Sequence, residues 1–321
     1  MKVLGVLGTM VWDTIWRRPD VGSPVEEWGG ISYALAAADA FPLGSTRVRP
    51  LVKLGRDLAE RGFRFLKELS VLETDESVVV ANAPNPRVEL HYTGPARRTE
   101  RLTGGVPAWT WEELEPRIAG CDALYVNFIT GREFGLEVAR QVRKRFDGPI
   151  YVDIHSLTLT TGPGGARRRC TLDRWSEWLP CFDAVQVNQD ELAALSAYRG
   201  DPWVFAADVV GRETGLLFVT LGSEGAAYVV VPEALPLERR GRDRLEKLSA
   251  ARSGRVSVEA VEGGDPTGCG DVWGVTVFRS LLGGFELEEA MQRANAAASR
   301  SVAHRGASGL SRFLRGGIDC G

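Results

Sequence analysis

The chain predicts a three-layer α/β fold with a mostly parallel sheet, helices on both faces and a small β lid. Three observations carry that reading. Apolar runs of strand length alternate with helix-length stretches from about residue 110 to residue 231. The polar residues Asp13, Asp153, Asn188 and Thr220 stand at or just after the ends of such runs, where an open α/β sheet keeps its ligands. Residues 261–271 then form a polar, glycine-rich turn, with the apolar run Val272 to Leu282 directly behind it.

Bulk properties set the limits. The 321 residues suffice for one large domain, with 44% hydrophobic and 25% charged residues, as in an ordinary globular protein. A formal net charge of −3 gives no electrostatic case for nucleic acid. Cys121, Cys170, Cys181, Cys269 and Cys320 are scattered, odd in number and without metal-ligand spacing, as expected of reduced thiols in a cytoplasmic protein. The opening Met1-Lys2-Val3-Leu4-Gly5 is too soon interrupted for a signal peptide, and no apolar run reaches spanning length, so no membrane is expected.

Taken in order, Val3 to Leu7 reads as a buried strand running into Gly8-Thr9-Met10-Val11-Trp12-Asp13. No Gly-x-Gly-x-x-Gly follows it, and no Gly-x-x-x-x-Gly-Lys-Ser/Thr occurs anywhere, which excludes a Rossmann dinucleotide fold and a P-loop enzyme. Residues 14–28 suit short strands and turns, and Gly29-Gly30 opens a small-residue helix from Ile31 to Ala40. Trp12, Trp16, Trp28 and Tyr33 cluster here, as core or lid packing or as a wall against a ring-shaped substrate. Leu51 to Asp57 is a strand ending in Gly-x-Asp, with a helix through Leu58, Phe65, Leu66 and Leu69 after it. Ser77 to Ala81 and Arg87 to Tyr92 read as strands joined at Ala83-Pro84-Asn85-Pro86. Helices at Trp111 to Ile118, Phe134 to Phe146 and Asp190 to Tyr198 alternate with strands at Ala123 to Asn127, Ile150 to Ile154, Cys181 to Val187, Leu216 to Leu221 and Ala226 to Val231. Residues 232–255 look like a charged surface insertion, and Leu287 to His304 an alanine-rich helix.

Chemistry concentrates at the glycine-rich turn. Pro266 cannot sit inside a helix, so one starts at about Gly268. The first turn has amides without internal partners and carries the positive end of the macrodipole, and Asp271 stands in it. A phosphoryl-transfer enzyme needs both donors for the moving group and a base for the attacking hydroxyl. A loop that merely caps a buried helix would also read this way.

The full run Asp265-x-Thr267-Gly268-x-Gly270-Asp271, with Gly274 and the apolar helix behind it, resembles the C-terminal signature of the ribokinase-like (PfkB) family of carbohydrate kinases. The resemblance spans Gly8 to about Gly306 and implies an ATP-dependent phosphotransferase acting on a hydroxyl of a small sugar or polyol. It implies Asp271 as general base and the amides of Gly268, Cys269 and Gly270 as the anion hole. Pro266 and Cys269 replace residues more often Thr and Ala. Asp13, from Gly-x-x-x-x-Asp, and the Gly29-Gly30 backbone would bind substrate, although Ala34 stands where the family pattern has Asn. Asn188 and Glu191, from Asn-x-x-Glu, would govern Mg²⁺ and phosphate through water; alone they would be a helix cap. Thr220, Gly222 and Gly225 would lie beside the nucleotide, with Asn295 on the base and His304 and Gly306 at the border. The family also admits a monovalent cation. The implied organisation is a single domain over residues 1–321, with a lid from about 14–28 and 77–98 whose edges could pair in a homodimer. A nucleoside or phosphosugar kinase of the same fold, and a non-catalytic binding member, are the alternatives. A phosphosugar would need an Arg such as Arg97 or Arg98 in the acceptor pocket.

Overall fold

The computed structural model describes residues 3–16, 24–74, 76–92, 98–197, 200–237, 250–259, 261 and 263–316. In chain order the first elements are β1 (Val3–Leu7), β2 (Met10–Trp16), β3 (Val25–Gly30), α1 (Ile31–Ala40), β4 (Arg47–Gly55), α2 (Ala59–Lys67), β5 (Val78–Ala81), β6 (Arg87–Tyr92) and β7 (Arg98–Thr103). Then come α3 (Trp111–Ile118), β8 (Ala123–Asn127), α4 (Leu136–Arg145), β9 (Ile150–Asp153), β10 (Leu159–Thr161), β11 (Arg167–Arg169), α5 (Trp175–Trp178), β12 (Ala184–Asn188), α6 (Gln189–Ser196) and α7 (Pro202–Val209). The last are β13 (Leu216–Thr220), β14 (Ala226–Val230), β15 (Arg252–Val256), α8 (Cys269–Leu282), α9 (Leu287–Ser301) and α10 (Leu310–Leu314).

Nine strands form the main sheet in the order β15-β14-β13-β12-β9-β8-β1-β4-β5. From β13 to β5 every pairing is parallel, and β14 and β15 extend it antiparallel. The central strands are mostly apolar, since helices cover both faces; all of Ala123–Asn127 is buried. On one face α1, α8, α9 and α10 pack together; on the other run α3, α4 and α5 in series. α8 is buried from Val272 to Leu281, wedged between α1, α9 and the sheet.

Parallel register brings polar strand ends into one row. Asn127, Asp153, Asn188 and Thr220 are the last residues of β8, β9, β12 and β13, with Asn127 opposite Asp153 and Asn188 opposite Thr220.

A second sheet, in the order β3-β2-β6-β7, stands off this rim. The chain passes from β1 into β2 over Gly8 and Thr9 alone, so Asp13 rides on the second sheet and not on the main one. The expected lid strand at 77–81 does not belong here: β5 pairs in parallel with β4 as the outer strand of the main sheet. The chain enters the second sheet again only with β6 and β7. β15 likewise corrects the surface insertion, because residues 252–256 form a sheet strand against β14; most of the rest of that insertion, and Arg97 with the side chain of Arg98, lie outside the described residues. The helix expected to reach Tyr198 ends at Ser196, and α7, whose Asp201 caps the amides of Trp203 and Val204, is an addition.

Candidate active site

Residues 265–271 build the start of α8. Asp265 Oδ1 accepts the amide of Thr267 at 2.9 Å, tightening the turn, and Gly268 follows at φ 81°, the left-handed conformation glycine tolerates. No side chain larger than hydrogen fits there: a Cβ on Gly268 would lie 2.3 Å from the Tyr33 ring. The amides of Gly268 and Gly270 have no partner among the described residues. The Cys269 amide, expected to join them, instead donates to Pro266 O at 3.2 Å, because the turn closes on itself before the helix begins. The Cys269 thiol faces α9, 3.4 Å from Ser301 Oγ, and burial pushes it up to about 11. It is a packing group.

Asp271 is half-buried, and its Oδ1 accepts Asn127 Nδ2 at 2.5 Å. The reverse amide orientation would set oxygen against oxygen. Asn127 is fully buried. Beneath them Gln186 Nε2 donates to Gly270 O at 3.1 Å and Asp153 Oδ2 at 3.0 Å, while Tyr151 Oη donates to Gln186 Oε1 at 2.7 Å. Gly274 lets α8 sit down on this floor: a Cβ would lie 2.3 Å from Gln186 Oε1.

Asp13 is 3% exposed, and the Gly29 α-carbon lies against its carboxylate, with room of only 1.8 Å between a Cβ and Oδ2. Tyr33 connects the two halves. Burial first, then the charges of Asp13, Asp265 and Asp271, hold its phenol well above the usual range. Its hydroxyl has no partner among the described residues. Tyr92, on β6, bonds Thr267 Oγ1 at 2.8 Å, so the second sheet reaches the glycine-rich turn directly. Trp12 and Trp28 meet edge to face at 5.2 Å and are buried, which is the packing role.

On the other side of the turn lies a cavity of about 580 Å³. Thr220, Gly222, Gly225 and Asn295 line it, with Gly270, Trp273 and Val302. Asn295 is not free to read a ligand: its Oδ1 accepts Trp273 Nε1 at 2.8 Å and its Nδ2 donates to Val256 O at 3.1 Å. Gly306 and His304 do not border this cavity. A Cβ on Gly306 would meet Glu27 at 1.9 Å, and His304 Nε2 lies 2.8 Å from Ser308 O.

Asn188 and Glu191 form a complete capping box at the start of α6. Glu191 is 1% exposed; Oε1 takes Asn188 Nδ2 and His155 Nδ1 at 2.7 and 2.6 Å, and Oε2 takes the Asn188 amide. Burial opposes both charges, yet each offsets the other: Glu191 lies below its usual range and His155 is carried up to about 9. Burial and the nearby Glu191 push Asp153 up to about 8. Both carboxylate oxygens are thus spoken for, and no cluster of three or more His, Cys, Asp or Glu able to hold a metal exists among the described residues. Motif reading does not find Asn127, Gln186 and His155, which stand at the candidate site, and it names Tyr33 only within the aromatic cluster.

A three-layer α/β protein with a carboxylate in the first turn of a helix, between a buried acid on the second sheet and a cavity beside the strand ends, has the architecture of a small-molecule kinase. Comparison with known proteins agrees. The pfkB family carbohydrate kinase model matches residues 47–312, and the chain belongs to that family. No curated protein matches. The fold is similar to a pyrophosphate-dependent kinase in the ribokinase family, solved as a sulfate complex (TM-score 0.74, 15% identity, 95% of this chain and 96% of that one). It is similar also to ribokinase from Thermotoga maritima (0.71, 17%, 98% and 99%) and to adenosine kinase from Sinorhizobium meliloti (0.71, 19%, 98% and 98%). No helix among the described residues is long and apolar enough to cross a membrane.

Proposed function

We propose that this PfkB-family kinase transfers the terminal phosphoryl group of ATP to a hydroxyl of a small sugar or polyol. The observation that carries the reading is the Asn127–Asp271 pair at the start of α8, with the Asp13–Gly29 contact on one side and the large cavity on the other. In this reading Asp271 takes the acceptor's proton while the amides of Gly268 and Gly270 face the charge on the moving phosphoryl group. Asp13 and the Gly29-Gly30 backbone orient the acceptor. Trp273, Val258, Val261 and Val302 give the cavity apolar walls suited to a purine. Pyrophosphate would have no use for such walls, and this favours a nucleotide donor. Mg²⁺ would be held through water by Asn188 and Glu191, whose oxygens already have protein partners, and would supply neutralisation of the donor phosphates; a monovalent cation, which the family also admits, would belong to the same scheme.

The second sheet is the lid of this reading, excluding water when it closes. A homodimer paired through it would use the β3 edge, because the β10–β11 hairpin flanks β7. ATP turnover across a panel of sugars, polyols, inositols and nucleosides tests the proposal. Asp271→Asn should lower kcat by roughly 10²–10⁴-fold while ATP still binds. Near-normal turnover by that variant would end the assignment of the base.

A further inference from the structure

The buried face of β6 is Val88, Leu90 and Tyr92, and of these only the tyrosine carries a polar side-chain atom. At 5% exposure that hydroxyl needs a partner within the protein. It meets one off its own sheet: Thr267 Oγ1, 2.8 Å away and 175 residues further along the chain.

The position of that partner matters. The Gly268 amide belongs to the planar peptide unit that joins Thr267 to Gly268, so the orientation of Thr267 aims it. Three contacts hold this point. The Thr267 amide donates to Asp265 Oδ1 at 2.9 Å, the Tyr33 ring backs the Gly268 α-carbon, and Tyr92 meets the Thr267 hydroxyl. Asp265 lies in the same turn and Tyr33 on α1; of the three, Tyr92 alone belongs to the second sheet. That sheet also carries Asp13, which stands opposite Val88 in the parallel pairing of β2 with β6. Elsewhere the sheet rests on the body through Glu27 Oε1, which accepts Ser308 Oγ at 2.6 Å, and Trp28 O, which accepts the Ala307 amide at 3.1 Å. Neither of those contacts involves the glycine-rich turn.

We propose that Tyr92 is a positioning residue. Through Thr267 it aims the Gly268 amide only while the second sheet is seated, so the acceptor side and the anion hole are completed together. This rests on the kinase reading above. Without the bond the sheet stands off more of the time and Thr267 turns more freely. The donor cavity is unaffected, since neither residue lines it.

Steady-state phosphoryl transfer and ATP hydrolysis, measured on the full chain with an accepted acceptor, test this. Tyr92→Phe should lower kcat for transfer by about 2- to 12-fold, the worth of one neutral hydrogen bond. The share of ATP lost to water should rise by about the same factor, and KM for ATP should stay within about twofold. Thr267→Val removes the bond from the other side and should match it. The double variant should be no worse than the worse single one. Thr267→Ser restores a hydroxyl and should recover most of the loss seen with valine. If Tyr92→Phe fails to fold, the comparison of Thr267→Val with Thr267→Ser decides. Additive losses in the double variant, an equal loss in Thr267→Ser, or lowered stability with kcat and hydrolysis share unchanged would each overturn the proposal. A wild type that phosphorylates no acceptor ends the kinase reading itself; a wild type that does so while Tyr92→Phe keeps its kcat ends this inference alone.

Discussion

Asn127 offers the sharpest test of how the proposed base is held. Its Nδ2 lies 2.5 Å from Asp271 Oδ1, and the residue itself is inaccessible to solvent. A hydrogen bond to a charged group is worth about 1.5–3 kcal/mol, and about 1.4 kcal/mol is a factor of ten. Asn127→Ala should therefore lower kcat by about 10- to 150-fold. Asn127 does not line the proposed donor cavity, so KM for ATP should stay within about twofold. The bond stabilises the ionised carboxylate; without it, the acid limb of the pH–kcat profile should move to higher pH. Asn127→Asp should be worse than Ala, since it sets a second carboxylate against the first. The assay is steady-state turnover with any accepted acceptor, followed from acid to neutral pH. An Asn127→Ala enzyme with wild-type kcat and an unmoved acid limb would refute the reasoning.

The proposed acceptor side gives a second test: Gly29→Ala places a Cβ 1.8 Å from Asp13 Oδ2, so the carboxylate must turn away and kcat/KM for the acceptor should fall by about 10- to 150-fold with ATP binding retained. Isothermal titration with an ATP analogue beside acceptor kinetics separates the two. Asn295→Leu should act on stability and not on nucleotide choice, because it strands Trp273 Nε1 and the Val256 carbonyl at about 1–3 kcal/mol each; a lowered urea midpoint with an unaltered ATP-to-GTP preference is the expected outcome. The folded-state pKa of His155 is raised from 6.5 to about 9, so its stabilising pair with Glu191 is complete below 6.5 and fades as pH climbs to about 9. Asp153, raised from 3.8 to about 8, also favours the folded state less as pH rises between those values. The melting temperature should accordingly decline from pH 6.5 to 9, and His155→Gln should remove the upper part of that decline; an identical slope in the variant would count against the pair.

What could be read from the chain follows distance along it. Asp271, Gly268 and Gly270 were legible because a helix start is local, set by Pro266 and glycines within a few residues. Asn127 lies 144 residues from the carboxylate it holds, and no single-sequence pattern measures that separation. Even so, its signal was present. It is the polar last residue of an apolar run, as are Asp153 and Asn188, and in a parallel sheet such ends share one rim. Asn295 misled for the opposite reason: Ala290, Met291, Ala294 and Ala297 are buried around it, and the inward face of a helix assigns an amide to satisfying a neighbour such as Trp273 before any ligand. Periodicity could also have sorted the two strands assigned together to the lid. Arg87-Val88-Glu89-Leu90-His91-Tyr92 alternates and belongs to the sheet with one open face, whereas Val78-Val79-Val80-Ala81 is apolar without alternation, the pattern of a parallel strand. That strand forms the outer edge of the main sheet, where Val80 is 47% exposed. Its apolar run therefore marks a half-buried edge strand of the main sheet and carries no information about the acceptor.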